Sequence, residues 1–106
     1  MGSDKIEWKV GLTDDANSEL AELPTEEAKK VLQVVEEMEN SSSPYNGASK
    51  LKYTKPYVVW RRRKGRLRIL FQVSKAKAQI KILRIDLRND DTYTDVLGDA
   101  DESFAD

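Results

Sequence analysis

Alternation of apolar and polar residues near the start of the chain predicts a first β-strand. Every second position from 6 to 12 is apolar, so one face of this strand would be buried. The pattern then changes to a helical period. Thr13 can act as the N-cap of a short helix, and Pro24 would end it. The apolar residues of this helix recur at intervals of three and four positions, at Ala16, Leu20 and Leu23.

A longer amphipathic helix is predicted from Thr25 onward. Thr25 is a candidate N-cap, and Glu26 and Glu27 lie in the first turn, where the helix dipole favours acidic side chains. One apolar stripe follows, made of Ala28, Val31, Leu32, Val35 and Met38. Such a stripe beside an apolar sheet face is typical of a core-forming helix. Residues 40–47 are rich in Ser, Asn, Pro and Gly and predict a loop.

A β-hairpin is predicted for residues 57–73. We expect Lys64 and Gly65 to form its two-residue loop, because glycine supplies the positive φ that such loops need. This loop places Arg61 opposite Arg68. Alternation then separates an apolar face from a basic face, which collects Arg61, Arg63, Arg66 and Arg68.

A last strand is predicted for residues 79–85, with Ile80 and Ile82 on one face and Leu83 and Ile85 on the other. The order β-α-α-β-β-β predicts an α+β fold in which two helices pack on a small, mainly antiparallel sheet. We expect residues 1–95 to form a single domain. Residues 96–106 are acidic and almost without apolar side chains, so we expect a disordered tail.

The distribution of charge along the chain says more about function than the overall composition does. The formal net charge of −1 conceals a basic block, since residues 50–85 contain 13 Lys and Arg residues and no acid. Like charges facing each other on a sheet are destabilising, so an anionic ligand would supply the missing counter-charge. RNA is the leading candidate, because guanidinium groups match phosphate geometry, and Lys50 and Lys52 would extend the basic surface. The alternative is a solvated basic face whose long side chains cover apolar surface.

Several function classes are excluded by residues that the chain lacks. It has no His and no Cys, no phosphate-cradling glycine loop and no metal-ligand spacing, which excludes thiol, imidazole and zinc hydrolases. We interpret Asp86, Asp90 and Asp91 as a solvated turn and expect neither a metal nor a small-molecule cofactor. No apolar run approaches the length of a membrane span, so we expect a soluble, cytoplasmic protein without a membrane partner.

The remaining chemistry is that of Arg, Lys and Tyr. An RNA 2′-hydroxyl can attack its own 3′-phosphate, and preorganised guanidinium groups stabilise the charge that grows on the phosphoryl oxygens. A general base is harder to find. Tyr93 is a candidate, because nearby cations such as Arg88 would favour its phenolate form.

The motifs resemble the RelE/ParE superfamily of type II toxins over about residues 5–93. Gly47-Ala48-Ser49-Lys50-Leu51 is similar to the segment before the family's second strand. Residues 60–71, WRRRKGRLRILF, resemble the family's hairpin, in which an aromatic residue precedes R-x-R-x-G-x-Y-R and a hydrophobic end. Two departures stand out: Ile85-Asp86-Leu87 replaces a Gly-His or Gly-Lys pair, and the spacing from Arg88 to Tyr93 is about one residue short.

In RelE-type members the resemblance implies a ribosome-dependent endoribonuclease that cleaves mRNA in the A site and is silenced by a cognate antitoxin. By the same resemblance, Arg68 stabilises the transition state, and Arg61 and Arg63 bind phosphate. Arg88 would assist the leaving group and Tyr93 would be the general base. Two alternatives stay open: a ParE-like toxin that acts on DNA gyrase, and a non-catalytic basic RNA-binding module.

Overall fold

The computed structural model describes residues 7–41, 43, 45, 47–51 and 57–87. The elements are β1 (Lys9–Leu12), α1 (Asp14–Glu22), α2 (Thr25–Asn40), β2 (Ala48–Lys50), β3 (Trp60–Lys64), β4 (Leu67–Ser74) and β5 (Gln79–Leu87). The strands form one five-stranded sheet in the order β1-β5-β4-β3-β2. Only the β1–β5 pair is parallel; the other three pairs are antiparallel. The predicted α+β fold is therefore confirmed, and β2 is an additional strand that directly follows the loop predicted for residues 40–47.

Both helices cover one face of the sheet, which we term the helix face, and the opposite face is termed the open face. The main core lies between the helices and the helix face and includes Trp8, Val31, Met38, Phe71 and Ile82. A smaller apolar cluster lies on the open face and contains Val59, Leu70 and Leu83, with Leu51 and Tyr57 packed against it. Neither helix in the described part of the chain is long and apolar enough to cross a membrane.

The helix boundaries confirm one predicted cap and correct the other. The Thr13 hydroxyl accepts a hydrogen bond from the Ala16 amide at 3.1 Å, as predicted. Thr25, however, is the first residue of α2, and Pro24 stands at the N-cap position without a side-chain cap. Pro24 has a non-helical ψ of 152° and its carbonyl already accepts from the Ala28 amide at 2.9 Å, so it starts the helix in place of the threonine.

The apolar stripe of α2 is also corrected. Val31, Val34 and Met38 are the buried residues of this helix, whereas Leu32 is 59% exposed. Residues at spacings of three and four share a helix face, and Leu32 is rotated by about 100° from Val31 toward solvent. Val34 therefore takes the core position that the sequence analysis gave to Leu32.

The β3–β4 hairpin has a different register from the predicted one. Its two-residue loop is Gly65-Arg66, so Arg63 lies opposite Arg68, and Arg61 lies opposite Leu70. Gly65 has a φ of +62° and occupies the first loop position, where the predicted loop would have required positive φ from Lys64. Each pairing shifts by two residues, so the side chains that remain in the strands keep their predicted faces, whereas Arg66, predicted opposite Arg63, lies in the loop.

A β-bulge in β5 reverses the alternation of side chains, so the residues that follow it face the opposite side from the one that an unbroken strand would give them. Leu70 pairs with Arg84 and Phe71 pairs with Ile82, so Leu83 is an extra residue in β5. The prediction that Ile85 shares a face with Leu83 is wrong, since Ile85 belongs to the main core. The bulge also turns the next residue, Asp86, toward the open face.

Helix α1 binds the edge of β5 at this bulge, beyond the point where β1 ends. The Thr13 hydroxyl donates to the Leu83 carbonyl at 2.9 Å. One oxygen of the Glu19 carboxylate accepts from the Ile85 amide at 2.7 Å, and the other accepts from Arg84 Nε at 2.8 Å. These contacts satisfy backbone groups that an uncovered edge strand would leave to solvent.

Candidate nucleic-acid interface

A row of charged side chains crosses three adjacent strands on the open face. Arg63 on β3 is directly opposite Arg68 on β4, and Arg68 is directly opposite Asp86 on β5. Arg68 Nε lies 3.2 Å from Asp86 Oδ1. The two side chains are only 6% and 14% exposed. Arg68 is therefore held in an ion pair inside the sheet surface rather than extended into solvent.

Burial of Arg68 follows from the position of its strand. β4 is the central strand, and all eight of its residues are buried. A guanidinium in such a position needs a nearby anion, because desolvation penalises an unpaired charge. Asp86 is the only carboxylate residue in the five strands. The expectation that only an external anion balances this face is thus corrected for Arg68.

Two further basic residues of the hairpin point to the helix face. The Arg62 guanidinium contacts Glu37 of α2, and Lys64 Nζ lies 3.9 Å from the same carboxylate. Glu37 is 49% exposed, so these pairs lie at the rim of the helix face. They direct two of the hairpin's positive charges away from the open face.

The other predicted phosphate-binding residues are distributed unequally. Arg61 is half-buried on the open face beside Leu70, whereas Arg63 is exposed. Arg66 is exposed in the hairpin loop. Neither Arg63 nor Arg66 forms an ion pair with a carboxylate of the described residues. These two guanidinium groups are therefore the most accessible charges of the hairpin.

Lys50 does not join the arginine residues. It is exposed in β2 and pairs with Trp60, whose ring packs against the main core, so Lys50 is on the helix-face side of the sheet. Lys52, Arg88 and Tyr93 lie outside the described residues, as do Asp90, Asp91 and the acidic tail. The role predicted for Lys50 beside the arginine patch is thus not supported by its position.

Asp86 is the functional candidate that the sequence analysis did not assign. The sequence predicts a solvated turn at this position, yet Asp86 lies in a strand and pairs with the arginine expected to stabilise the transition state. No group of three metal-binding side chains occurs among the described residues. The open face is suited to binding phosphates through the exposed guanidinium groups of Arg63 and Arg66. These lie near Arg68, whose position is fixed by Asp86.

Comparison with known proteins identifies the fold. No protein-family model and no curated protein sequence matches the chain. The archaeal RelE–RelB complex from Pyrococcus horikoshii is similar with a TM-score of 0.65 and 24% identity, over 78% of this chain and 97% of that chain. The RelBE2 toxin–antitoxin complex from Mycobacterium tuberculosis gives 0.61 and 25%, over 80% and 95%. A mutant of the E. coli toxin RelE in the free state gives 0.62 and 15%, over 89% and 94%. The chain therefore has the RelE toxin fold.

Proposed function

We propose that the protein is the toxin of a type II toxin–antitoxin system and acts as a ribosome-dependent, metal-independent endoribonuclease that cleaves mRNA. The observation that carries this proposal is the row of charged side chains, Arg63, Arg68 and Asp86, on the open face of a RelE-like sheet. There an exposed guanidinium, that of Arg63, adjoins a guanidinium whose position is fixed, that of Arg68. Exposed arginines bind phosphate, and a fixed donor stabilises developing charge without reorganising during the reaction.

In the proposed reaction, the RNA 2′-hydroxyl attacks the adjacent 3′-phosphate and the 5′-oxygen leaves. Arg61, Arg63 and Arg66 bind the backbone phosphates on either side of the scissile bond. Arg68 stabilises the negative charge that develops on the phosphoryl oxygens. Arg88 assists the leaving group and Tyr93 accepts the 2′-hydroxyl proton, as the resemblance implies.

The proposed partners are the ribosome with its mRNA in the cytoplasm, and a cognate antitoxin. Two of the similar structures are complexes of RelE with RelB or of RelBE2, which supports an antitoxin for this chain as well. We expect an antitoxin segment rich in acidic residues to cross the exposed arginines, because charge complementarity speeds association. Apolar anchors would supply most of its affinity.

One observation favours a second candidate, a non-catalytic RNA-binding module. Arg68 is 6% exposed and its charge is already balanced by Asp86, which reduces its attraction for phosphate. In that case Arg63 and Arg66 would bind RNA and no bond would be cleaved. The two candidates differ in whether Arg68 reaches a scissile phosphate.

The decisive experiment incubates purified protein with programmed ribosomes and maps the 5′ ends of the mRNA. Arg68→Lys keeps the positive charge and removes the guanidinium fork, so we expect cleavage to fall by about 10²-fold while RNA binding changes little. Lys29→Arg is the matched control, because it also keeps the positive charge and Lys29 is exposed on α2, far in sequence from the hairpin.

Two outcomes would overturn the proposed activity, and a third would overturn the role of Arg68. Binding without cleavage would establish the RNA-binding module. Inhibition of gyrase supercoiling without mRNA cleavage would establish the ParE-like alternative. Equal cleavage by Arg68→Lys and the wild type would remove Arg68 from the reaction.

A further inference from the structure

We infer that Asp86 is a positioning residue. Its carboxylate fixes the Arg68 guanidinium for the transition state and at the same time weakens RNA binding. The inference rests on the proposed function and deepens it. It concerns a carboxylate at a point where the sequence departs from the related motif. It assigns the Arg68–Asp86 pair a role in the rate of cleavage in addition to its contribution to the stability of the sheet.

The β5 bulge supplies the first argument. Ile80 and Ile82 face the helices, and strict alternation would direct residue 86 to the same side. The extra residue, Leu83, reverses the alternation, so Ile85 enters the core and Asp86 faces Arg68. Bulges commonly re-aim side chains beside functional sites. Here the bulge brings the single carboxylate of the strands onto a face whose other charged strand residues are basic.

The charges on either side of Arg68 supply the second argument. Arg63 is directly opposite on β3 and repels the guanidinium, while Asp86 is directly opposite on β5 and attracts it. Both forces move the guanidinium toward β5. The Nε–H group donates to Asp86 Oδ1 at 3.2 Å, and this charge-assisted hydrogen bond restrains the location of the guanidinium. Without Asp86, we expect Arg68 to occupy several rotamers.

Two effects with opposite signs follow for the reaction. A fixed guanidinium meets the phosphoryl oxygens without loss of orientation, which raises the rate of the bound complex. A phosphate bound to Arg68 would also lie a few ångströms from the Asp86 carboxylate, and repulsion between the two would weaken binding. Removing the carboxylate should therefore tighten RNA binding and slow cleavage, a combination that simple damage to the fold would not produce.

The experiment compares three variants of the full chain. Asp86→Asn removes the charge and keeps an acceptor, Asp86→Ala removes both, and Asp86→Glu restores the carboxylate. Glu39→Gln, an exposed change on α2, is the control for a loss of one negative charge. Single-turnover cleavage is measured with saturating ribosome–mRNA complex, and affinity is measured by fluorescence anisotropy with an uncleavable RNA that carries a 2′-deoxy position.

We expect Asp86→Ala to lower the single-turnover rate by about 10- to 100-fold, because a misplaced catalytic group loses that much. Asp86→Asn should fall between Asp86→Ala and the wild type, and Asp86→Glu should recover part of the rate. Both neutral variants should bind RNA about three- to tenfold more tightly, as expected from removing one charge a few ångströms from a phosphate. Glu39→Gln should match the wild type.

Wild-type cleavage combined with an unchanged single-turnover rate in Asp86→Ala would overturn the inference, as would weaker RNA binding by the neutral variants. If the wild type does not cleave, the proposed function fails separately. The positioning claim is then tested by ¹⁵N NMR of the Arg68 Nε–H group. A slowly exchanging signal that disappears in Asp86→Ala supports the positioning, and a rapidly exchanging signal in the wild type overturns it.

Discussion

The Arg68–Asp86 ion pair should contribute measurably to the free energy of unfolding of the protein. We consider Arg68→Met, which keeps the length of the side chain, and Asp86→Asn, which keeps its shape, together with the double variant. The structure pairs the two groups at 3.2 Å with 6% and 14% of their side chains exposed. Each single change leaves the other charge in a poorly solvated position. The double change removes both charges together.

The expected magnitude lies between two limits. Breaking a fully buried ion pair costs about 3–5 kcal/mol, and exposed pairs contribute about 0.2–1 kcal/mol. Because Asp86 is partly exposed, we expect Arg68→Met to lower the free energy of unfolding by about 1–3 kcal/mol. Asp86→Asn should lose somewhat less, because its amide oxygen still accepts from Arg68 Nε. We expect the double variant to recover about 1–2 kcal/mol relative to the sum of the single changes.

Urea unfolding followed by tryptophan fluorescence measures these changes, since Trp8 is buried in the core and Trp60 packs against it. In thermal unfolding, about 1 kcal/mol corresponds to a shift of roughly 4–8 °C for a domain of this size. Additivity within about 0.3 kcal/mol would show that the two charges do not interact in solution. A more stable Arg68→Met protein would show that repulsion from Arg63 outweighs the pair.

Three other predictions follow from the fold and the proposed function. Glu19→Ala should lose about 1–3 kcal/mol in urea unfolding, because it removes the acceptor of the Ile85 amide; a loss no larger than that of Glu22→Ala would contradict this. Gly65→Ala should lose about 1 kcal/mol because of its positive φ, whereas Gly11→Ala should be neutral, since a Cβ there meets nothing within 4 Å. The logarithm of RNA affinity should fall linearly with the logarithm of salt concentration, and Arg63→Gln should reduce that slope by about 0.7 to 0.9; an unchanged slope would exclude a phosphate contact.

Periodicity was enough to predict the main elements. Both helices, the hairpin, the last strand and the division of the hairpin into two faces are confirmed, because each depends on a repeated pattern over many residues. The register of the hairpin depended instead on one backbone angle, that of Gly65. A two-residue loop can be drawn at either of two adjacent positions, and only the requirement for positive φ at the first loop residue distinguishes them.

The candidate site was predicted in part. The arginine-rich face followed from alternation, and Arg61, Arg63 and Arg68 do share it. The partner of Arg68 was missed, because a contact across the β4–β5 pair depends on the register of two strands. The position of Glu37 beside Arg62 was likewise not predictable, since it joins a helix to a hairpin 25 residues away.

The bulge can nevertheless be read from the sequence, as a change of phase in the apolar positions of β5. Ile80 and Ile82 occupy even positions, Ile85 and Leu87 occupy odd positions, and all four contribute to the main core. An unbroken strand cannot direct both sets to one face, because side chains alternate with a period of two. A change of phase between Ile82 and Ile85 therefore requires an extra residue, and Leu83 is that residue. The same reasoning would have turned Asp86 away from the core and toward Arg68, whereas uninterrupted alternation would have buried its carboxylate among apolar side chains.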